Sequence, residues 1–436
     1  MKTATGLRFV HRIVKGLMGV AFFALAACAT LPEPGGGGPD TLSEPGVPKQ
    51  LQSRQIIVAL AEAERTQWDT IAQDLQTRHQ LRRVGAFPLT SIGVQCLVFQ
   101  VPLEQSMEAI LTRLRADSRV QLAQPNQPFE GLAAVNVSSL AYIRLAYGAR
   151  LIHADQVQSI STGQGVSVVV IDTGADTHHP DLQGRIVATQ NFVDGGEPSF
   201  ATDTHGTAVA GVIGARAAQA GAGLDGIAPD AALTVAKACW YPDSASAKAR
   251  CSSWTLAKAL DFAINHQAKV INLSLGGGPD ALLTRLLTAA ENRGIVVVAA
   301  TLENRDDPGF PALLNTVIPV MACDPRGHVV WPRWQAPAFV AAAPGIDIVA
   351  PIPQDRYDLL SGSSLAAAHV TGIVALLIQQ DPQRSPEQIR ALLYTTARQP
   401  TGSHPAPPPA VGVVDACAAL ARQVPALVCH RVDPGL

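Results

Sequence analysis

The sequence predicts an α/β protein, a parallel sheet flanked by helices and preceded by a small α+β unit. Runs at residues 165–171, 227–238, 270–275 and 295–300 are apolar and rich in β-branched residues. They do not alternate with polar positions, which is the pattern of strands buried on both faces. Helical patterns at 254–266 and 281–293 separate the last three runs, a βαβ rhythm. Hydrophobic residues make up 47% of the 436 and charged residues 16%. That is ample core material, with too few charges for long acidic or basic disordered tails. A net charge of −2 gives no basic footprint for nucleic acid.

Taken in order, the chain opens with Lys2, Arg8, Arg12 and Lys15, followed by an apolar run at 16–27. At ~1.5 Å per residue this run is too short to span a ~30 Å hydrocarbon core. It reads as a signal peptide over 1–27 rather than a membrane helix. Leu25-Ala26-Ala27-Cys28 resembles a bacterial lipoprotein signal, in which the cysteine sulfur takes a diacylglycerol; the bland alternative is an ordinary signal with a chance cysteine. Ala29 stands where an aspartate often marks inner-membrane retention, so the resemblance implies the outer membrane. Residues 28–50, with four consecutive glycines at 35–38 and several prolines, form a tether that cannot pack. The leader and the buried strands together account for a mean hydropathy of +0.17.

Residues 51–130 read strand, helix, strand, strand, helix, strand. The strands are expected at 56–60, 83–87, 93–101 and 120–123. The helices are expected at 64–79, where Trp68, Ile71 and Leu75 share one face, and at 106–116. This is a ferredoxin-like α+β unit, a form that carries no function by itself.

Seven cysteines are an odd number, and lipidation of Cys28 removes one. Export permits disulfides among the rest. Cys239 with Cys251 and Cys417 with Cys429 close short loops and are expected to pair, leaving Cys96 and Cys323 buried and free. No C-x-x-C or H-E-x-x-H spacing occurs, so no metal site is expected.

Three motifs fall near strand ends or helix starts. Asp172-Thr173-Gly174 ends an apolar strand; alone it is a turn-forming cap, and an aspartic peptidase would need a second copy, which is absent. His205-Gly206-Thr207 opens a helix of small residues, and a lone histidine is usually structural. Ser361-Gly362-Ser363-Ser364 opens a helix running to about residue 379, where a serine is ordinarily an N-cap. The same position supports a nucleophile, because unpaired amides at a helix start can receive an oxyanion. Asp172, His205, Ser364 is the chain order of one class of serine triad, and differs from two others.

With these motifs the chain resembles the subtilisin-like serine peptidases over about 151–420. His179-Pro180-Asp181-Leu182, Gly226-Ile227-Ala228-Pro229, Asn272-Leu273-Ser274-Leu275-Gly276-Gly277 and Phe310-Pro311-Ala312 support it. The resemblance implies a peptidase domain over 140–425 and an inhibitor-like prodomain over 51–130. It implies Ser364 as nucleophile, His205 as base, Asp172 as its orienter, and Ser274, Leu275 and Gly276 as the strand that pairs with extended peptide. No cofactor is required for such chemistry. Calcium often stabilises the family, but no dense acidic loop is visible here. Ala208, Leu365 and Ala368 depart from the family pattern as tolerable packing changes. The serious departure is the oxyanion donor, usually Gly-Asn. Here the text is Thr301-Leu302-Glu303-Asn304. Counting from the strand puts Glu303 at the asparagine's place, and a loop one residue longer puts Asn304 there. Asn304 is the expected donor, since an ionised Glu303 would repel the developing charge, and an ordinary loop residue is the alternative. Two other readings stand beside the endopeptidase: a binding protein of this fold with weak or lost turnover, and a small-ester hydrolase.

Overall fold

The computed structural model describes residues 53–131, 147–193, 200–218, 223–242, 248–302, 307–329, 339–401 and 411–430. The chain divides into Met1–Thr41, wholly outside the described residues, and Leu42–Leu436. The expected signal, tether and Cys28, and also Glu303 and Asn304, lie outside the described residues.

The small unit comprises β1 (Gln55–Ala61), α1 (Trp68–His79), β2 (Arg82–Leu89), β3 (Val94–Gln100), α2 (Met107–Arg115) and β4 (Val120–Pro125). Its sheet is antiparallel in the order β2-β3-β1-β4. The unbroken apolar run in β1 is explained by burial on both faces. Ile56, Val58 and Leu60 pack under α1 and α2 with Ile71, Leu75 and Ile110, whereas Ile57 and Ala59 face the large unit. The first helix starts later than expected, because Glu62–Gln67 is a 3₁₀ turn with Glu64 off helical geometry.

The chain then forms β5 (Pro128–Gly131), α3 (Gly148–Leu151), β6 (Ser167–Asp172), β7 (Ile186–Asn191), α4 (Thr204–Gly214), β8 (Ala232–Lys237), β9 (Cys239–Trp240) and β10 (Arg250–Ser252). Next come α5 (Ser253–Asn265), β11 (Val270–Leu273), β12 (Leu275–Gly277), α6 (Ala281–Asn292), β13 (Val296–Ala300), β14 (Val317–Cys323) and β15 (Val340–Pro344). The remainder is β16 (Ile348–Ile352), β17 (Arg356–Leu360), α7 (Ser363–Gln380), α8 (Pro386–Thr396), β18 (Val411–Val413) and α9 (Ala416–Ala421). An eight-stranded parallel sheet runs β18-β15-β14-β13-β11-β6-β8-β7. Helices α4 and α7 cover one face, and α5 and α6 the other. From β6 the chain moves first towards β8 and later returns to β11. The β6–β11 boundary is therefore a switch point, where the carboxyl ends of parallel strands leave a crevice.

Two expected strands are shorter. The one expected at 227–238 begins at Ala232, because Pro229 lacks an N–H and 228–231 form a turn closed by Ala231 N–H to the Ala228 carbonyl. The one expected at 270–275 breaks at Ser274, whose side chain and carbonyl turn to α7. The apolar helix α7 has the length and composition of a membrane span, yet 89% of it is buried inside the fold, so it is a core helix.

The small unit docks on α5 and α6. Trp254 stacks on Phe87 and lies over Gly85, where a Cβ would sit 2.3 Å from the indole. The last strand of the small unit and the residue that follows it cap both helices: Gln124 Oε1 accepts from the Leu282 N–H at 3.0 Å, and Asn126 Oδ1 from the Trp254 N–H at 3.1 Å. Cys239–Cys251 and Cys417–Cys429 are bonded, and Cys96 and Cys323 are free and buried.

Candidate active site

Asp172 is the last residue of β6 and His205 the second of α4. The imidazole Nδ1–H donates to Asp172 Oδ1 at 2.7 Å, and both side chains are buried. Asp172 Oδ1 also accepts from the Thr173 N–H at 2.7 Å, the adjacent amide rather than the one two residues on that an Asx turn uses. Two glycines bring the segments together. Gly174 holds φ at +125°, and a Cβ on Gly206 would sit 1.9 Å from its carbonyl oxygen. The Gly206 N–H donates to Thr173 Oγ1 at 3.2 Å.

Burial pushes the His205 pKa down, but the Asp172 charge, the hydrogen bond to it and the Asp203 carboxylate outweigh that and raise it above the ordinary imidazole value. The Nε2 atom is buried and makes no hydrogen bond with the described residues.

Ser364 is the second residue of α7. Gly362, not a serine, is the N-cap residue, which leaves Ser364 without the ordinary capping role. Its hydroxyl donates to the Ser274 carbonyl at 3.4 Å, while Ser274 Oγ donates to the Ser364 carbonyl at 3.2 Å. Asn272 Nδ2 donates to Ser274 Oγ at 2.9 Å, and Thr371 Oγ1 donates to Asn272 Oδ1 at 2.9 Å. This buried chain ties the end of β11 to α7. Ile171 pairs with Leu273 in register, so Asp172 and Ser274 leave adjacent strands side by side. The aspartate, the histidine and the serine thus converge on the switch point from β6, α4 and α7. Asn272 heads the Asn-Leu-Ser-Leu-Gly-Gly segment, but the part that it and Thr371 play in tying Ser274 to α7 is revealed only by the fold.

The expected peptide-binding strand already holds a segment of this chain. β5 lies antiparallel between β12 and β10, with Phe129 opposite Gly277, Glu130 opposite Gly276 and Gly131 opposite Leu275. It therefore runs towards Ser274 and Ser364. Phe129 is buried against Gly277, its ring 6.0 Å from that of Phe310. The opposite wall is stapled, since Cys251 of β10 pairs with Cys239 of β9 and is bonded to it. No group of three or more His, Cys, Asp or Glu among the described residues could hold a metal. The buried Asp181 carboxylate is taken by the Ala218 and Leu224 amides and by the Tyr357 hydroxyl.

A sequence profile of the Subtilase family matches residues 163–413. The "Thermophilic serine proteinase" of Bacillus sp. (strain AK1) is 33% identical over 328 residues, which is 74% of this chain and 79% of that protein. "Thermitase" of Thermoactinomyces vulgaris is 34% identical over 260 residues, 59% of this chain and 90% of that protein. The fold is similar to the crystal structure of fervidolysin from Fervidobacterium pennivorans, described as a keratinolytic enzyme related to subtilisin. The TM-score is 0.66 at 25% identity, covering 84% of this chain and 60% of that one.

Proposed function

The chain belongs to the subtilase family and is a subtilisin-like serine endopeptidase, and we propose that Asp172, His205 and Ser364 are the residues through which it cleaves peptide bonds. The observation that carries the assignment is the buried 2.7 Å contact of His205 with Asp172 at the strand end beside Ser274, which in turn bonds Ser364. Ser364 Oγ attacks the peptide carbonyl and His205 Nε2 takes its proton, then returns it to the departing amine. Water enters by the same route to release the acyl group. Asp172 fixes the proton on Nδ1 and stabilises the imidazolium. The oxyanion is received by amides at the start of α7 and by Asn304, a donor of the kind that contributes ~3–4 kcal/mol. Substrate lies extended as β5 does, main chain against main chain. A small-ester hydrolase would have no use for that strand.

A fluorophosphonate probe tests this assignment on the full chain. Wild type after self-processing is expected to label once per molecule and Ser364→Ala not at all. Folded, processed wild type that stays unlabelled would end the active-enzyme reading.

Residues 51–130 are proposed to act as the inhibitor-like prodomain. The lie of β5 in the cleft supports this, as does the capping of α5 and α6 by Asn126 and Gln124. N-terminal sequencing of purified wild type is expected to find a start between residues 131 and 147. Ser364→Ala is expected to remain uncut, and a cut there in both proteins would assign the cleavage to another peptidase.

Cys28 is proposed to carry lipid and to anchor the protein in the outer membrane, the reading its Leu-Ala-Ala-Cys context supports. Cells fed labelled palmitate are expected to label wild type, and Cys28→Ser is expected to lose both label and membrane fractionation. Retained label in Cys28→Ser would refute it.

A further inference from the structure

Lys237 ends β8 directly opposite Asp172 in register, and only 1% of it is exposed. A lysine is almost never buried without a partner. This one has two, and both belong to the segments that carry the aspartate and the histidine. Its ammonium donates to the Thr173 carbonyl, in the turn after Asp172, and to Asp203 Oδ2 at 2.6 Å. Asp203 is itself buried and is the N-cap residue of α4, two positions before His205. Its backbone carbonyl accepts from the Thr207 N–H at 3.3 Å. One ammonium thus ties the strand end that holds Asp172 to the first turn of the helix that holds His205.

The charges act on the same imidazole. Groups on the segments packed against α4 are Asp172 on β6, Asp176, His179 and Asp181 in the connection after it, Lys237 on β8, Tyr241 beyond β9, and His369 on α7. Asp176 is held by amides of His178 and Gln354, and Asp181 by the amides and hydroxyl already described. His369 Nδ1–H donates to the Leu365 carbonyl at 2.8 Å within its own helix. The burial of Tyr241 keeps its phenol protonated well above the ordinary tyrosine range. That leaves Asp172 and Asp203 as the anions that raise His205.

We propose that Asp203 and Lys237 are a buried positioning pair for the catalytic histidine, holding it against Asp172 and setting the pH at which it becomes a base. The inference rests on the assignment of His205 above. Neither residue touches substrate, and they act through the imidazole and the turn. A buried ion pair is weak support for stability as such, because desolvation offsets much of its attraction. Its placement across the two catalytic segments gives it a purpose that stability alone does not.

The sign of the pH effect follows from the chemistry. His205 must be neutral at Nε2 to take the serine proton, so the rate rises as pH passes upward through its pKa. The Asp203 carboxylate favours the imidazolium and moves that rise to higher pH. Removing the carboxylate therefore moves the acid limb of kcat/KM to lower pH.

The experiment compares pH profiles of the self-processed wild type, Asp203→Asn and Lys237→Arg on one peptide substrate, with thermal melts to verify folding. Asp203→Asn is expected to shift the acid limb to lower pH. At its optimum it is expected to lose about tenfold or more in kcat with little change in KM, as loosened catalytic groups do. Lys237→Arg, which keeps the cation, is expected to leave the limb where wild type has it. Asp203→Ser, which removes the charge but remains a good N-cap, carries the same expectation should the asparagine variant not fold. A folded Asp203 variant with the wild-type limb overturns the proposal, and so does a limb that moves to higher pH. Wild type with no turnover would instead defeat the catalytic assignment, so the two failures are distinguishable.

Discussion

Ser364→Ala is expected to lower kcat for peptide hydrolysis by about 10⁶, leaving only what binding and oxyanion stabilisation give over water. The size of the loss follows from the loss of the covalent route. An alanine at the start of α7 leaves no oxygen within reach of the substrate carbonyl, and His205 then has no proton to take. The fold should be indifferent to the change. Ser364 is not the N-cap residue, and its hydroxyl makes one long hydrogen bond, 3.4 Å, to the Ser274 carbonyl. The variant is best cut after Gly131 by trace wild type, repurified, and assayed beside it, so that an uncut N-terminal unit does not mimic the loss. Ser363→Ala serves as control, and retention of more than about 1% of wild-type kcat by Ser364→Ala would move the nucleophile elsewhere.

Asp172→Asn is expected to cost about 10⁴ in kcat. The asparagine is nearly isosteric, so the pair can keep its place. An amide nitrogen facing Nδ1, however, favours the tautomer with its proton on Nε2, which cannot accept the serine proton. The variant also loses the largest charge that raises His205, so its residual activity should persist to lower pH than wild type. KM should change little, because no substrate contact is removed. A loss confined to KM would mean that Asp172 shapes the cleft rather than the base.

The sequence was most readable where burial is two-sided. The runs that became β6, β11 and β13 are mostly apolar, broken only by Ser167, Asp172 and Asn272, and short runs of that kind suit strands buried on both faces. The proposed triad stood out in the sequence because three weak motifs in one order are far more specific together than apart. What escaped depended on partners. β5, β9 and β10 are two to four residues long and exist as strands only because each lies beside another. Their residues carry no period for a sequence to display. Lys237 was equally hidden, since a lysine in an otherwise apolar strand, Leu233-Thr234-Val235-Ala236-Lys237, reads as the point where a strand reaches solvent. Only the fold brings Asp203 to it. The break at Ser274 has the same character, for the strand ends there because α7 arrives, not because of any local turn residue.

The occupation of the cleft by β5 has a consequence for dosage. If peptide binds along β12 as proposed, this segment, while part of the chain, competes with it at an effective concentration on the order of millimolar, whatever the amount of protein present. Once the link beyond Gly131 is cut, the same contacts become an ordinary bimolecular equilibrium, and occupancy falls with dilution. Specific activity of the cut protein should then rise as the sample is thinned, whereas that of the uncut chain should not. Crowded molecules would silence one another with the fragments they shed, and an isolated molecule would stay open.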